Sequence, residues 1–360
     1  MLTPHSSNTA VTQILNDDFF QNPAQLSTIH HTQSTAGFVF INPQASFEGT
    51  VKEVNGSVRS NVQDTLPYLL TGYRINEHWV IGFNAVPSAY GHLEWPMDSF
   101  VSPVSTQTKI VYYRFGVQSS YEINTRWAVG AGFNVEDNAR YFTNFAVPSR
   151  GNQVNSITDI NYTGDLGLYY KINDTNYLSL AGYTQVNTYG QGTSSDILSI
   201  NPNLSLNVTQ APVIYLGLQH QLTPKWFLSE KIYWSGWSIQ HNINFTNTTS
   251  GTYIVPTNWK DVWSFQVTTR YAIKQRITVL SLLSYETNPV PLETNNIGYP
   301  LASAGYVSTG LDIALTKDFS LLGVYTYGAY LPNSPISNKN SNGIIHTRVQ
   351  SMVLQVTYKM

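Results

Sequence analysis

Six short polar turns punctuate this chain: RINEHW (74–79), EINTRW (122–127), KINDTN (171–176), QLTPKW (221–226), AIKQRI (272–277) and LTKDFS (315–320). They alternate without exception with seven longer stretches rich in Ser, Asn, Gly and Pro, near 48–60, 91–106, 143–155, 191–208, 241–257, 288–301 and 331–342. Thirteen connections join fourteen strands, and an even count returns both ends of the chain to the short-turn side. The runs between them carry a two-residue period: Val111, Tyr113, Phe115 and Val117 oppose Tyr112, Arg114, Gly116 and Gln118. A strand with one oily and one polar face, repeated between turns that are short on one side and long on the other, is the pattern of a transmembrane β-barrel. A soluble β-sandwich also shows the period. The run from Asn258 to Ile273 exceeds the common strand of about five or six residues and suits the roughly 9 to 11 residues that cross a bilayer.

Composition agrees with that reading. Hydrophobic residues make up 42% of 360, yet only 11% are charged, against roughly a quarter in soluble domains. No run approaches the roughly 18 apolar residues of a spanning helix, so a helical membrane protein is excluded. Aromatics reach 13%, led by 24 Tyr, and suit the interfacial girdles of a barrel. A net charge of −2 without a Lys/Arg cluster offers nothing to nucleic acid. With no cysteine, disulfides, thiol nucleophiles and zinc–thiolate sites are absent. The start, MLTPHSSNTAVTQ, shows no basic segment followed by an apolar one, so a signal peptide is not expected within this chain.

Residues 1–33 do not have the strand period, and they carry Phe19, Phe20 and Leu26, which need burial. In a barrel of residues 34–360 such a segment starts at the short-turn end and can fold up into the lumen as a plug. Another irregularity lies in HWVIGFNAVPSAYGHLEW, where Trp79, Ile81, Phe83 and Ala85 alternate as a strand should until Pro87. Proline has no N–H for a ladder, so it marks an edge, a bulge or a break.

The motifs carry a resemblance to the FadL family of outer-membrane transporters. Asn22-Pro23-Ala24, preceded by Asp17-Asp18, is similar to that family's hatch signature; TPKWFLSEKIYWSGWS (223–238), NWKDVW (258–263) and YETNPVP (285–291) resemble its later strands in order and spacing. The matches run from about Ser6 to Lys359. The resemblance implies an all-β, fourteen-stranded antiparallel transmembrane barrel with a short luminal hatch built on Phe19, Phe20, Asn22, Pro23 and Ala24. It implies an integral outer-membrane channel, without cofactor, for passive uptake of hydrophobic compounds such as long-chain fatty acids or aromatic hydrocarbons. It also implies that Val86-Pro87-Ser88 forms an inward kink that opens the wall to lateral exit; a proline bulge near the rim is the alternative. Two departures are a short stretch before the hatch signature and Met360 at the terminal position.

No catalytic or metal constellation stands out: His30 and His31 fall on opposite faces of a strand, and no nucleophile motif places the Ser, His and Asp residues. Arg114, Arg140 and Arg270 are candidate partners for a carboxylate head group, or members of luminal ion pairs. Leu93, Trp95, Met97, Phe100 and Val101, in the loop 91–101, either receive hydrophobic molecules or cap the mouth. The expected partners are a hydrophobic small molecule and outer-membrane lipid, with the barrel a monomer. A plugged structural or adhesive barrel and an outer-membrane lipid hydrolase are the alternative functions.

Overall fold

A backbone crossing lipid has no water to bond, so each strand needs two ladder neighbours, and a sheet meets that need throughout only by closing on itself. The computed structural model, which describes residues 21–360 and of Asn138–Tyr141 the backbone alone, shows that closure. Its strand segments are β1 (Thr32–Val51), β2 (Val54–Asn61), β3 (Asp64–Arg74), β4 (Trp79–Glu94), β5 (Gln107–Glu122), β6 (Trp127–Val147) and β7 (Gly151–Asn173). There follow β8 (Asn176–Tyr183), β9 (Val186–Ser195), β10 (Ile200–Gln210), β11 (Val213–Thr223), β12 (Trp226–Ser235), β13 (Asn242–Thr248) and β14 (Gly251–Pro256). The last are β15 (Val262–Lys274), β16 (Ile277–Glu286), β17 (Ala304–Ala314), β18 (Phe319–Tyr330), β19 (Ser334–Asn338) and β20 (Ser341–Lys359). Six times, two successive segments run end to end as one wall strand (β2/β3, β8/β9, β10/β11, β12/β13, β14/β15 and β18/β19), which leaves fourteen. Every pairing is antiparallel, and β1 meets β20 from Gln33↔Lys359 to Val51↔Ser341, closing the barrel.

The two-residue period sorts side chains between lipid and lumen. On β15, Trp263, Phe265 and Val267 are exposed outward, whereas Val262, Ser264 and Gln266 are buried inside. Trp263 and Tyr271 lie eight residues apart on the outer face, about 26 Å along a strand, which matches an apolar band roughly 25 Å tall between aromatic girdles. At the short-turn end, Trp79, Trp127, Trp226 and Phe319 are outward and exposed.

All six short turns fall where the sequence puts them. The long stretches differ. Five of the seven are mainly strand: the wall continues upward as hairpins, closed at Lys52–Glu53, 148–150, 196–199, 249–250 and 339–340. Ser- and Asn-rich sequence looks like loop, but a strand above the lipid needs apolar side chains on its inner face only, here Val51, Val58, Leu204, Phe245 and Ile336, and its ladder satisfies the backbone as well as water does. Lys52 and Glu53 adopt φ of 44° and 73°, the left-handed pair that a two-residue hairpin turn requires. Neighbouring hairpins are clipped together: Arg150 Nε donates to Asp196 at 2.7 Å, and Arg150 Nη2 to Ser199 at 2.8 Å. Desolvation alone would raise the Asp196 carboxyl; the Arg150 bond and the Leu198 and Ser199 backbone N–H groups outweigh it and hold that carboxyl well below the usual range. Without regular structure, 95–106 and 287–303 fold over the mouth.

A cysteine at exposed Leu198, on a hairpin tip, should react with a membrane-impermeant maleimide in intact cells, and one at Asn173 in a short turn should not. Equal labelling of the two single-cysteine proteins would contradict this topology.

Candidate functional site

The inward face of β5 ranks the lumen from one end to the other. Near the hairpin end Thr108, Ile110 and Tyr112 line a chamber; then come Arg114, Gly116 and Gln118, in a buried polar layer; then Ser120, whose hydroxyl donates to Ala24 O at 3.0 Å.

Ala24 belongs to a single 3₁₀ turn, Pro23–Thr28, lying inside the wall. Asn22 caps it: its Oδ1 accepts from Ala24 N–H at 2.9 Å, while Nδ2 reaches the wall carbonyls of Leu168 (3.1 Å) and Leu180 (3.4 Å). Pro23 follows at a position where its missing N–H has no partner to lose. The wall is scalloped to admit this turn. A Cβ on Gly130 would stand 2.3 Å from Ala24 N, one on Gly167 1.9 Å from Asn22 Oδ1, and one on Gly72 2.3 Å from Ile29 Cδ1. Gln21 accepts from Lys231 Nζ (3.1 Å) and Tyr233 OH (3.0 Å), and Arg74 donates to Ser27 O (2.5 Å) and Ile29 O (2.7 Å) while paired with Glu122. Sequence reading missed the glycines, although glycine at inward positions of long strands is a visible sign of close backbone approach. Phe19 and Phe20 lie outside the described residues.

Alternation on β4 ends at Ala85: from Val86 to Leu93 every side chain but Ala89 is buried, so the strand leaves the wall plane and runs inside it. Ser88 is the extra residue of a bulge, with Pro87 opposite Tyr113 and Ala89 opposite Tyr112. The ladder between β3 and β4 stops at Leu69↔Ala85; beyond it β3 pairs with β1, and β4 with β5. A gap therefore opens between them, beginning in the apolar band, where Leu69 and Phe83 are 41% and 38% exposed. Val86, Pro87 and Ser88 sit at its lower end, and Ser88 Oγ donates to Glu136.

The chamber, about 610 Å³, is lined by Tyr90, Ile110, Tyr112, Phe145, Val208, Trp237, Ile243, Phe245, Tyr253, Trp259 and Tyr299, with Thr108, Gln107, Asn144 and Gln210 among the polar groups. Among the described residues its one charged lining residue is Lys52, which is exposed. Trp237 and Trp259 pack edge-to-face at 5.1 Å, and Asp261 accepts from Ser238 N–H (2.9 Å) and Trp234 Nε1–H (3.2 Å), so the WSGWS and NWKDVW motifs meet at one corner of the mouth. Val290 of the Pro-Val-Pro motif joins them.

Arg114 and Arg270 stand away from the chamber. Arg114 Nε donates to Glu136 Oε1 at 2.6 Å, and its guanidinium lies over the Tyr183 ring. Arg270 faces the lumen near the short turns, over the Phe227 ring. Arg140 pairs through its backbone with Val111, and its side chain is outside the described residues. In the loop above β4, Met97 alone is open, 67% exposed; Leu93, Trp95 and Val101 are buried with Phe100 packed beside them, against Phe47, Ile297, Ile336 and Ile345. Among the described residues, no group of three or more His, Asp and Glu converges on a metal position.

A closed barrel with this strand count, girdles and an aromatic-lined chamber is an integral outer-membrane channel for hydrophobic compounds. The family model for the outer membrane protein transport proteins (OMPP1/FadL/TodX) matches residues 6–358, and the chain belongs to that family, whose members are channels and not enzymes. Its relatives include the long-chain fatty acid transport proteins of Escherichia coli K12, 21% identical over 353 residues (84% of this chain, 79% of that one), and of Salmonella typhi, 22% over 343 residues (84% and 78%). The structure of a Pseudomonas aeruginosa FadL homologue superposes with a TM-score of 0.87 at 14% identity, covering 99% of this chain and 98% of that one. The Pseudomonas putida toluene transporter TodX gives 0.72 at 16% identity, covering 94% and 92%.

Gly130→Val places side-chain atoms where the backbone of Pro23 and Ala24 now lies, so the turn must move. The variant should show raised small-ion conductance in planar bilayers, whereas the same change at Gly323, where the nearest atom is 3.8 Å away, should leave conductance at the parental level.

Proposed function

We propose that hydrophobic molecules enter the chamber from the hairpin end and leave sideways through the gap between β3 and β4, while the Asn22–Ala24 turn serves as a hatch closing the lumen toward the short turns. The observation that carries this reading is the layering along β5. Below the chamber an apolar molecule meets Arg114, Glu136, Gln118, Asn134 and Asp165, a buried layer of ion pair and hydrogen bonds, and then the hatch. Breaking such a layer strands buried charge, at several kcal/mol. The kinked strand, by contrast, contributes Ala89 and Tyr90 to the chamber wall itself, so the sideways route is one side chain thick.

The lining also bears on the cargo. A carboxylate moved into an apolar site without a partner is strongly disfavoured, and among the described residues the chamber lining has no guanidinium. Neutral hydrophobic compounds, aromatic ones included, fit it whole. A long-chain fatty acid fits with its tail inside and its head group at the mouth beside Lys52.

Removing Ser88 together with Pro87→Val deletes the bulge and restores a ladder donor. The straightened β4 should pair with β3 above Leu69, and uptake of a neutral arene by intact cells should fall to background while chamber binding persists. Uptake at the parental rate in a correctly assembled barrel would exclude lateral exit.

Quenching of Trp237 and Trp259 fluorescence reads binding directly. Phe245→Ala should weaken binding of a neutral arene by about 2 kcal/mol, roughly thirtyfold in Kd. Lys52→Ala should leave arene binding unchanged and weaken that of a fatty acid; loss of both ligands together would contradict the head-group placement.

A further inference from the structure

We propose that Asp64 is the clasp of the lateral opening: its carboxylate ties the kinked strand to the opposite edge of the gap, and breaking that tie is the step that opens the wall. The proposal rests on the lateral-exit reading above. Above Leu69↔Ala85 the two edges share no ladder bond, and they meet again where Glu94 N–H donates to Ser60 Oγ at 3.0 Å. Between these points the crossing is made by side chains. Asp64, first residue of β3 and paired in backbone with Ile41 of β1, takes three donors from the far side: Tyr90 OH on Oδ2 at 2.7 Å, His92 Nδ1 on Oδ2 at 2.6 Å and Lys109 Nζ on Oδ1 at 2.6 Å.

Two of those donors come from the kinked part of β4 and the third from β5. The side chains of Asp64, His92 and Lys109 are 16%, 8% and 17% exposed, so water competes poorly for these bonds and each counts for more than a surface ion pair. Glu94 stands 3.8 Å from His92 Nε2 on the outer side.

Tyr90 links clasp to cargo. Tyr90 lines the chamber and its hydroxyl ends on Asp64, so a molecule that leaves by displacing the Tyr90 side chain must pull the hydroxyl from the carboxylate. The carboxylate itself is not part of the chamber lining. Its removal should therefore change how fast cargo leaves, not how tightly the chamber holds it.

The test uses the full chain in lipid nanodiscs, with a neutral naphthalene probe: tryptophan quenching gives Kd, and stopped-flow transfer of the bound probe into the bilayer gives the exit rate. Asp64→Asn keeps the shape of the side chain and removes its charge. Loss of one charge-assisted hydrogen bond should speed exit by roughly tenfold. Lys109→Met, which leaves Asp64 its other two donors, should act in the same direction and carries the test should the first variant fail to assemble. Kd should stay at the parental value in both. Parental exit rates would overturn the clasp, as would slower exit at unchanged Kd, which would make Asp64 a strut holding β4 in a productive position. Parental rates in both variants, with uptake abolished in the straightened wall, would remove the clasp alone. Uptake that survives straightening would remove the route on which it rests.

Discussion

The constraint on which this molecule depends is that every backbone N–H and C=O at membrane depth must find a protein partner. Closure of β1 on β20 over nineteen residue pairs is its direct consequence. The gap between β3 and β4 is a local exception, and the chain meets its cost in a specific way. Pro87 removes a donor where none can be satisfied, and the bulge at Ser88 turns the following residues inward, where side chains of the lumen can reach them. The Asp64 carboxylate and its three donors bridge the two edges of that gap.

The same economy explains the stacking of the lumen. The segment around Asn22 sits close to the wall because Gly130 and Gly167 carry no Cβ, and it is held there by bonds from Ser120, Lys231, Tyr233 and Arg74, side chains of three different strands. Above it, buried ionisable groups are matched in place, Arg114 with Glu136 and Asp165 with Gln118 and Asn134. The aromatic chamber begins where those groups end.

Loops 95–106 and 287–303 fold inward, so that Trp95, Val101 and Ile297 are buried in one cluster instead of standing in solvent, and Met97 is left as the open apolar residue of its loop. Trp237, Trp259 and Val290 pack together at one corner of the mouth.

The turns and the two-residue period determined the barrel: strand count, closure and the sorting of lipid from lumen follow from local chemistry, because a strand alternates its faces wherever it is placed and a short polar turn can join only neighbours. Pro87 was legible for the same reason, since a proline changes the backbone at its own position, whereas Asn22-Pro23-Ala24 was marked by its resemblance to a family signature. What the sequence could not determine is which inward side chains meet. Arg114 has the same local pattern whether it faces a ligand or Glu136, and the chamber is assembled from Tyr90, Tyr112, Phe245 and Trp259, residues far apart in the chain. Asp64 carries no local signal: it is a carboxylate at the start of a strand, and only the inward displacement of β4 brings Tyr90, His92 and Lys109 to it. Contacts across a lumen depend on register and curvature summed around the whole ring, and that sum exists only in the closed tertiary structure.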